Sequence, residues 1–534
     1  MGSDDFNRDD SKETTALINT GIDSSENLET VYTSDIEINM DSFVDQLNVG
    51  LFHYLITLSC GLCYSTGAAV LNAISFVIIT ACDLNMTIHN RGLLSIATVI
   101  GMIIGSVTMG RLGDVIGRKI VLIIVILCNI IATVASAFAY NFDMIIGLGF
   151  VNGLGLGGNF ANCHTYLIEF FPRSYRGISV ASMTAFLIFG GIYSCGMAYF
   201  ILSHPFYNPF GIIYFTHWRL YLLVCILPTA ISLLMLFWLP DSIRFLIRKK
   251  QKRKLIQVLY QINRINSWCN KSITDYKLMV DEQLIETIIR KEEMESEDKP
   301  QLNLISQFKM FNQPPWRKRM WLLVLSWFGF CYAFHGLRQW LPVLIAFYIR
   351  GNSCWLGWHS SYASQFINYS SLHVSNSSIC VHGSNLQATI QNIILGNILA
   401  APVAILCILL INRVGRKRLF CSISMLSGIF VFFIVALDKT LSTEIFACAF
   451  TTVAINGWIP LELWTAELFP TELRSTAVGI LNLVSSLGFL ICITTFTLLF
   501  HSSCPGSLLL PAILCVLSGL VGCLLPDTSN SDIS

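Results

Sequence analysis

Charge is scarce in this sequence. Acidic and basic residues make up 13% of its 534 positions, against about 25% in ordinary soluble domains. The two signs nearly cancel, at net +1, so no nucleic acid or other partner chosen by bulk charge is expected. Enzyme signatures are missing too. There is no phosphate-cradling glycine loop ending in GKS or GKT, no H-E-x-x-H pair and no nucleophile elbow. The glycine-rich stretch "VNGLGLGGNF" (151–160) sits inside an apolar run, where glycine serves close helix packing rather than dinucleotide binding. No enzymatic activity, cofactor or metal is expected. A signal peptide is also absent: the first 45 residues hold twelve acids against Arg8 and Lys12, with no apolar core, and read as a disordered acidic tail.

Apolar sequence is what abounds. Hydrophobic residues make up 54% of the chain, in runs of about 20 residues or more, enough to cross roughly 30 Å of hydrocarbon. Twelve runs stand out, at roughly 50–80, 92–112, 119–140, 142–170, 178–202, 219–239, 320–348, 387–411, 418–437, 443–469, 475–500 and 506–526. A backbone in lipid must satisfy its own hydrogen bonds, so runs of this length are helices; barrel strands would be about 10 residues with alternating polarity. The fold class is all-α, a polytopic membrane protein with twelve transmembrane helices.

Lys and Arg cluster after the even-numbered spans, at Arg111, Arg118, Lys119, Arg173, Arg176, the run from Arg244 to Lys254, Arg413, Arg416, Lys417, Arg418 and Arg474. Positive charge marks the cytoplasmic side, which puts both termini and the 240–318 segment there. The chain divides into an acidic tail (1–45), a six-helix half (46–240), a cytoplasmic linker (241–318), a second six-helix half (319–527) with a lumenal loop at about 350–386, and a short tail (528–534). In the linker, Leu255, Val258, Leu259, Ile262 and Ile265 keep helical spacing, as do Leu284, Ile285, Ile288 and Ile289, which predicts amphipathic helices beneath the bundle beside anionic lipid heads. The sequons at Asn85, Asn368 and Asn376 fall in exterior loops and are candidate glycosylation sites. Cys354 and Cys380 flank two of them and are a candidate disulfide. "CGLC" (60–63) lies inside the first span and reads as packing. In the tail, "ETTALI", with Glu13, Leu17 and Ile18, fits an acidic dileucine signal for a cytosolic sorting adaptor.

The chain repeats itself. Gly117-Arg118-Lys119 recurs as Gly415-Arg416-Lys417, a shift of 298, and at that shift "EFFPRSYRG" (169–177) falls on "ELFPTELRS" (467–475). "LPDS" (239–242) and "LPDT" (525–528) close the sixth and twelfth spans. Two parallel six-helix halves follow, with a substrate site between them near the midplane.

"GRLGDVIGRK" (110–119), its reduced copy "NRVGRK" and "PDSIR" resemble motifs of the major facilitator superfamily. "FVDQLNVGLFHYLITLSCGL", "HWRLYLLVCILP" and "WTAELFPTELRSTAVGILN" resemble its synaptic vesicle glycoprotein 2 branch. The resemblance runs from about residue 43 to 527. It implies a charge latch joining the halves on the cytoplasmic face and breaking during alternating access, with Gly110, Arg111, Gly113, Asp114, Gly117, Arg118, Glu169 and Arg176 in the first half and Arg416, Glu467 and Arg474 in the second. Gly110 and Gly113 are expected to let the second and third spans approach, Asp114 to face a helix N-terminus of the other half, and Arg118 to pair with Glu169. Asn412 replaces the acid in the second copy, so Arg416 with Glu467 is expected to be the weaker latch.

Ionisable residues inside spans are costly and mark function by default. Four stand out: His164, Glu462, His335 and Arg338. His164 and Glu462 are themselves 298 apart, and each lies about 10 Å above the phenylalanine–proline end of its helix. Helices 1, 4, 7 and 10 line the cavity in this superfamily, so the two either face each other as a titratable pair or each bond a neighbouring helix. "FCYAFHGLRQWLP", with Gly336 and Pro342, reads as a broken helix. Its Arg338 either snorkels outward or contacts an anion, and Tyr332 with Trp340 could stack a substrate ring; Asn72 of the first span is a further candidate. Relatives in the branch carry two acids in helix 1 where this chain has Gly67 and Val70, and a large lumenal repeat domain that it lacks. The expected function is secondary transport of a small organic solute, with a coupling proton or cation left open, in a vesicle or plasma membrane. The alternative is a transporter-like vesicle glycoprotein that acts through partners in exocytosis.

Overall fold

The computed structural model describes residues 44, 49–84, 88–204, 207–210, 213–267, 311–314, 316–350, 352–354, 383–469 and 471–527. Twelve helices there are long and apolar enough to cross a membrane: α1 (Leu51–Thr80), α2 (Gly92–Ile116), α3 (Arg118–Ala137), α4 (Phe142–Ile168), α5 (Tyr175–Leu202), α6 (His217–Trp238), α7 (Trp316–Ile349), α8 (Ser384–Ile411), α9 (Arg416–Leu437), α10 (Thr440–Thr465), α11 (Thr476–Phe500) and α12 (Cys504–Gly522). Each predicted span has its helix, with ends displaced by a few residues. Before α6 a short hairpin pairs β1 (Tyr207–Phe210) with β2 (Ile213–Thr216) antiparallel, Tyr207 opposite Thr216. Outward-facing Ile104, Ile131, Leu234 and Trp238 stay exposed, as lipid-facing residues do in a helix with no water to avoid.

The repeated motif is visible in the backbone. Gly117 and Gly415 open α3 and α9 with φ of 106° and 92°, a left-handed conformation a side chain would strain. Glycines also set the α2–α4 seam. A Cβ on Gly153 would lie 2.0 Å from the Thr98 carbonyl oxygen, and one on Gly101 2.2 Å from that of Phe150. Gly113 and Gly110 face the same helix, near Asn162 and Ala161 of α4; they serve the α2–α4 contact, not the α2–α3 approach expected from their place beside the turn.

α7 is not broken. It runs from Trp316 to Ile349 and absorbs its irregularity as a π-helical turn at Tyr332–Leu337, a form frequent at functional sites. Gly336 lies in that turn, where a Cβ would stand 2.1 Å from Cys492 Sγ of α11.

The end carrying Arg118 and Arg416 is called the basic end here, and its opposite the far end. Polar hubs tie the far end of each half. Arg219 is buried, donates to Asp83 Oδ2 at 2.8 Å and to the Ala137 and Ala139 carbonyls at 2.9 and 2.7 Å, and stacks its guanidinium 4.4 Å over Trp218. Asp438 accepts from the Tyr348 hydroxyl and the Cys354 amide, both at 2.9 Å, and from Ser353. Cys354 is disulfide-bonded to Cys504, at a Cα–Cα distance of 5.2 Å, rather than to Cys380. The chain leaves α7 beside the first residue of α12, so a partner 150 residues away in sequence is the neighbour in space. Cys82 is also disulfide-bonded.

Beneath the first half, the amphipathic helix Lys252–Ser267 buries Leu255, Val258, Leu259 and Ile262, and Asn266 Oδ1 accepts from the Phe52 amide at 2.9 Å. The second amphipathic stretch (284–289), the sequons at Asn85, Asn368 and Asn376, Cys380, and the sorting residues Glu13, Leu17 and Ile18 lie outside the described residues.

Candidate functional site

Residues from α1, α4, α7 and α10 meet inside the bundle. The Tyr64 ring of α1 packs edge-on against His164 of α4 at 4.6 Å between centroids, and against Phe160 at 5.0 Å. The Tyr64 hydroxyl lies in the field of the Glu462 carboxylate, and the Trp458 indole, one turn back on α10, is buried with no hydrogen-bond partner for its Nε1 among the described residues. His335 of α7 sets its ring edge-on to Trp458 at 5.4 Å and tilted against Phe489 at 5.3 Å between centroids. His164 and Glu462 thus share a neighbourhood through Tyr64, without direct contact. Buried His164 Nε2 has no hydrogen-bond partner.

Exposure separates the candidates. His164, Glu462, His335 and Arg338 keep partial accessible surface. Tyr332, Trp340 and Asn72 are buried and occupied by packing. The Tyr332 hydroxyl meets Thr495 at 2.5 Å, Trp340 stacks on Phe496 at 5.1 Å, and Asn72 donates to Ser194 at 2.9 Å. A Cβ on Gly67 would lie 2.3 Å from the Phe160 ring, so an aromatic ring stands where the helix-1 acid of the branch would project.

Arg338 donates to Asn397 Oδ1 of α8 at 3.2 Å and sits against Gly191 of α5, whose Cβ would be 3.1 Å from Arg338 Nη2. It therefore lies where the halves meet. Among the described residues no carboxylate pairs with Arg338 and no cation pairs with Glu462. Lone charges in a low-dielectric interior are expensive, and access to water or to a ligand offsets that cost. Tyr64, Trp458, Phe160 and Phe489 were missed from sequence because aromatics are common in every span; Arg219 and Ser242 lie in motifs the sequence singled out, which do not by themselves assign their partners.

At the basic end the latch residues bond within their own halves. Arg118 binds Asp114, donates to Asn162 Oδ1 at 3.3 Å and stands 4.0 Å from Glu169. Glu169 accepts from the Ser242 hydroxyl of "PDSIR". Burial pushes the Glu169 carboxyl up, against the opposing pull of Ser242 and Arg118. Asp114 thus serves Arg118, not a helix of the other half. Arg416 meets Glu467 at 3.0 Å, closer than its counterpart. With no acid in Asp114's place, Arg416 has one carboxylate to turn to, so the expected order of the two pairs is reversed in distance. Arg111 is exposed, Arg176 donates to the Phe171 carbonyl at 3.2 Å, and the Arg474 side chain lies outside the described residues. Among the described residues, contacts joining the halves include Gln339 to Ser95 at 3.3 Å, Gln387 to the Tyr199 hydroxyl at 3.0 Å, and Gly92 against Thr497.

Comparison with known proteins agrees with this architecture. Residues 57–372 match the family model described as Major Facilitator Superfamily, and 342–533 match that described as Sugar (and other) transporter. Synaptic vesicle glycoprotein 2B of Mus musculus is 23% identical over 91% of this chain and 85% of its own length. The niacin transporter NiaP of Acinetobacter baylyi is 22% identical over 84% of this chain and 88% of its own. Among solved structures, a partially occluded inward-open form of the E. coli xylose transporter XylE superposes with a TM-score of 0.62 at 16% identity, over 90% of this chain and 99% of that one.

Proposed function

Because the chain belongs to the Major Facilitator Superfamily, we propose that it carries a small organic anion across a membrane by alternating access, with the basic end and both termini in the cytosol. One observation carries the reading: Arg338, with no acidic partner among the described residues, lies at the seam between the halves, bonded to Asn397 of α8 and set against Gly191 of α5. A solute carboxylate would supply the missing charge, and a guanidinium is suited to hold it by two parallel hydrogen bonds. The aromatic walls from Tyr64, Trp458 and Phe489 would flank a flat apolar body. Niacin, named for one relative, is a pyridine ring with a carboxylate and has this shape and charge.

Glu462, beside Tyr64 and Trp458 and with no cation paired to it among the described residues, is the group for a coupling proton or cation, and His164 modulates it through Tyr64. The conformation supports this cycle. Contacts toward the far end close the outside, and latch pairs kept within each half leave the cytoplasmic side to open.

The test is uptake of labelled nicotinate into vesicles holding the purified chain, at pH 5.5 and 7.5. Uptake that depends on pH and loses that dependence in Glu462→Gln supports the reading. Absence of uptake, for nicotinate and for a panel of aromatic and aliphatic carboxylates, would favour the alternative suggested by the vesicle glycoprotein relatives: a membrane protein of secretory vesicles acting through partners.

A further inference from the structure

The basic ends of α7 and α12 enclose a second site. A cavity of about 480 Å³ opens between them, lined by Arg317, Lys318, Arg319 and Leu322 of α7 and by Leu524 and Leu525 just beyond α12. Arg319 is fixed by stacking its guanidinium 5.1 Å over Trp316. The segment beyond α12 is fixed where the Trp464 indole donates to the Pro526 carbonyl at 3.2 Å. Arg317 and Lys318 are exposed, and among the described residues no carboxylate pairs with any of the three cations. Trp321, one turn into the span, is 64% exposed and Leu524 67%, so the cavity's apolar side continues onto the lipid-facing surface of the bundle.

We propose that this cavity binds the phosphate headgroup of an anionic phospholipid, with the lipid's acyl chains lying along Leu322, Trp321 and Leu524. Three unneutralised cations at the mouth of a membrane span meet the phosphate. A neighbouring leucine and tryptophan surface at hydrocarbon depth meets the chain. A soluble phosphate compound would use the cations alone and leave the apolar wall idle. The site sits on the second half and does not include Arg338, so its occupancy can be measured whether or not the transport reading holds. Because α7 and α12 begin and end here, a lipid bridging them would hold the cytoplasmic ends of these two helices together.

The experiment uses the full-length protein purified in detergent and titrated with dioleoyl phosphatidylserine, dioleoyl phosphatidylcholine or inorganic phosphate. Bound lipid is counted by native mass spectrometry and thermal unfolding is followed in parallel. Saturable binding of about one phosphatidylserine is expected, with phosphatidylcholine retained far less. Removing two surface cations in Arg317→Gln with Lys318→Gln should weaken that binding about thirtyfold. Arg253→Gln with Lys254→Gln, on the other basic stretch, should leave it unchanged. Leu524→Trp fills the cavity from an exposed position and keeps every charge; it should block the lipid as well, and it decides the matter if the double variant misfolds. Protection by inorganic phosphate equal to that by lipid would overturn the lipid assignment and leave a free phosphate site. Lipid retention equal in all variants would overturn the site itself.

Discussion

The ring of Tyr64 meets the imidazole of His164 edge-on at 4.6 Å, while its hydroxyl lies in the field of Glu462. One residue of the first half thus connects the two repeat-equivalent ionisable positions, 164 and 462. Tyr64→Phe keeps the ring contact and removes the hydroxyl, so stability should fall by no more than about 1.5 kcal/mol, while solute affinity drops several-fold. Thermal unfolding and solute titration on one preparation separate the two effects. A variant with wild-type affinity would remove Tyr64 from the site.

Glu169 gives a prediction outside the membrane spans. Its folded-state pKa is raised by burial, so its ionised form costs stability once the pH exceeds that pKa, and the cost vanishes below the ordinary carboxyl value. Glu169→Gln keeps an acceptor for Ser242 and cannot ionise. The melting temperature of this variant minus that of the wild type should grow as the pH rises from the ordinary carboxyl range through the raised pKa. A difference that is flat or shrinks over that range would contradict the assignment.

Much of this architecture was legible because it rests on length and repetition. Twelve apolar runs need no tertiary knowledge to be helices, and the 298-residue shift that aligned Gly117 with Gly415 reappears as two glycines with positive φ. Partners were harder to read. Which acid Arg118 meets depends on how near Asp114, Glu169 and Ser242 are brought, and which cysteine Cys354 meets depends on α7 and α12 being neighbours. The expected Arg118–Glu169 pair is present at 4.0 Å, and Asp114 is a local neighbour four residues before Arg118, but the nearness of Cys354 to Cys504 is not written in local sequence. The candidate site was legible only in part: ionisable residues in apolar runs, such as His164, His335, Arg338 and Glu462, stand out in a sequence. The aromatic rings around them look like any other lipid-facing ring until the helices are packed. Tyr332, Trp340 and Asn72 each pack against a neighbouring helix, a placement that the sequence does not disclose.

The Cys354–Cys504 bond predicts a covalent link between peptides 150 residues apart. Non-reducing digestion and mass mapping should recover it, and Cys504→Ser should cost about 2–4 kcal/mol. Recovery of Cys354 joined to Cys380 instead would contradict the structure.

The α2–α4 seam predicts a contrast between two glycines of one helix. Gly153→Ala places a methyl 2.0 Å from a backbone oxygen, whereas Gly147→Ala meets nothing within 4 Å. The first should cost about 1–3 kcal/mol and the second almost nothing, read as the yield and melting temperature of the two proteins. Equal melting temperatures would mean the helices are farther apart than described.

The central claim is that Arg338 receives the negative charge of the solute. Its most direct measurement is thermal stabilisation by nicotinate against nicotinamide, which share size and ring and differ in charge. A ligand at 100 times its dissociation constant should add about 2.7 kcal/mol. Stabilisation by nicotinate alone, abolished in Arg338→Gln, is the predicted result. Equal stabilisation by the amide, or a nicotinate effect that survives in Arg338→Gln, would contradict it.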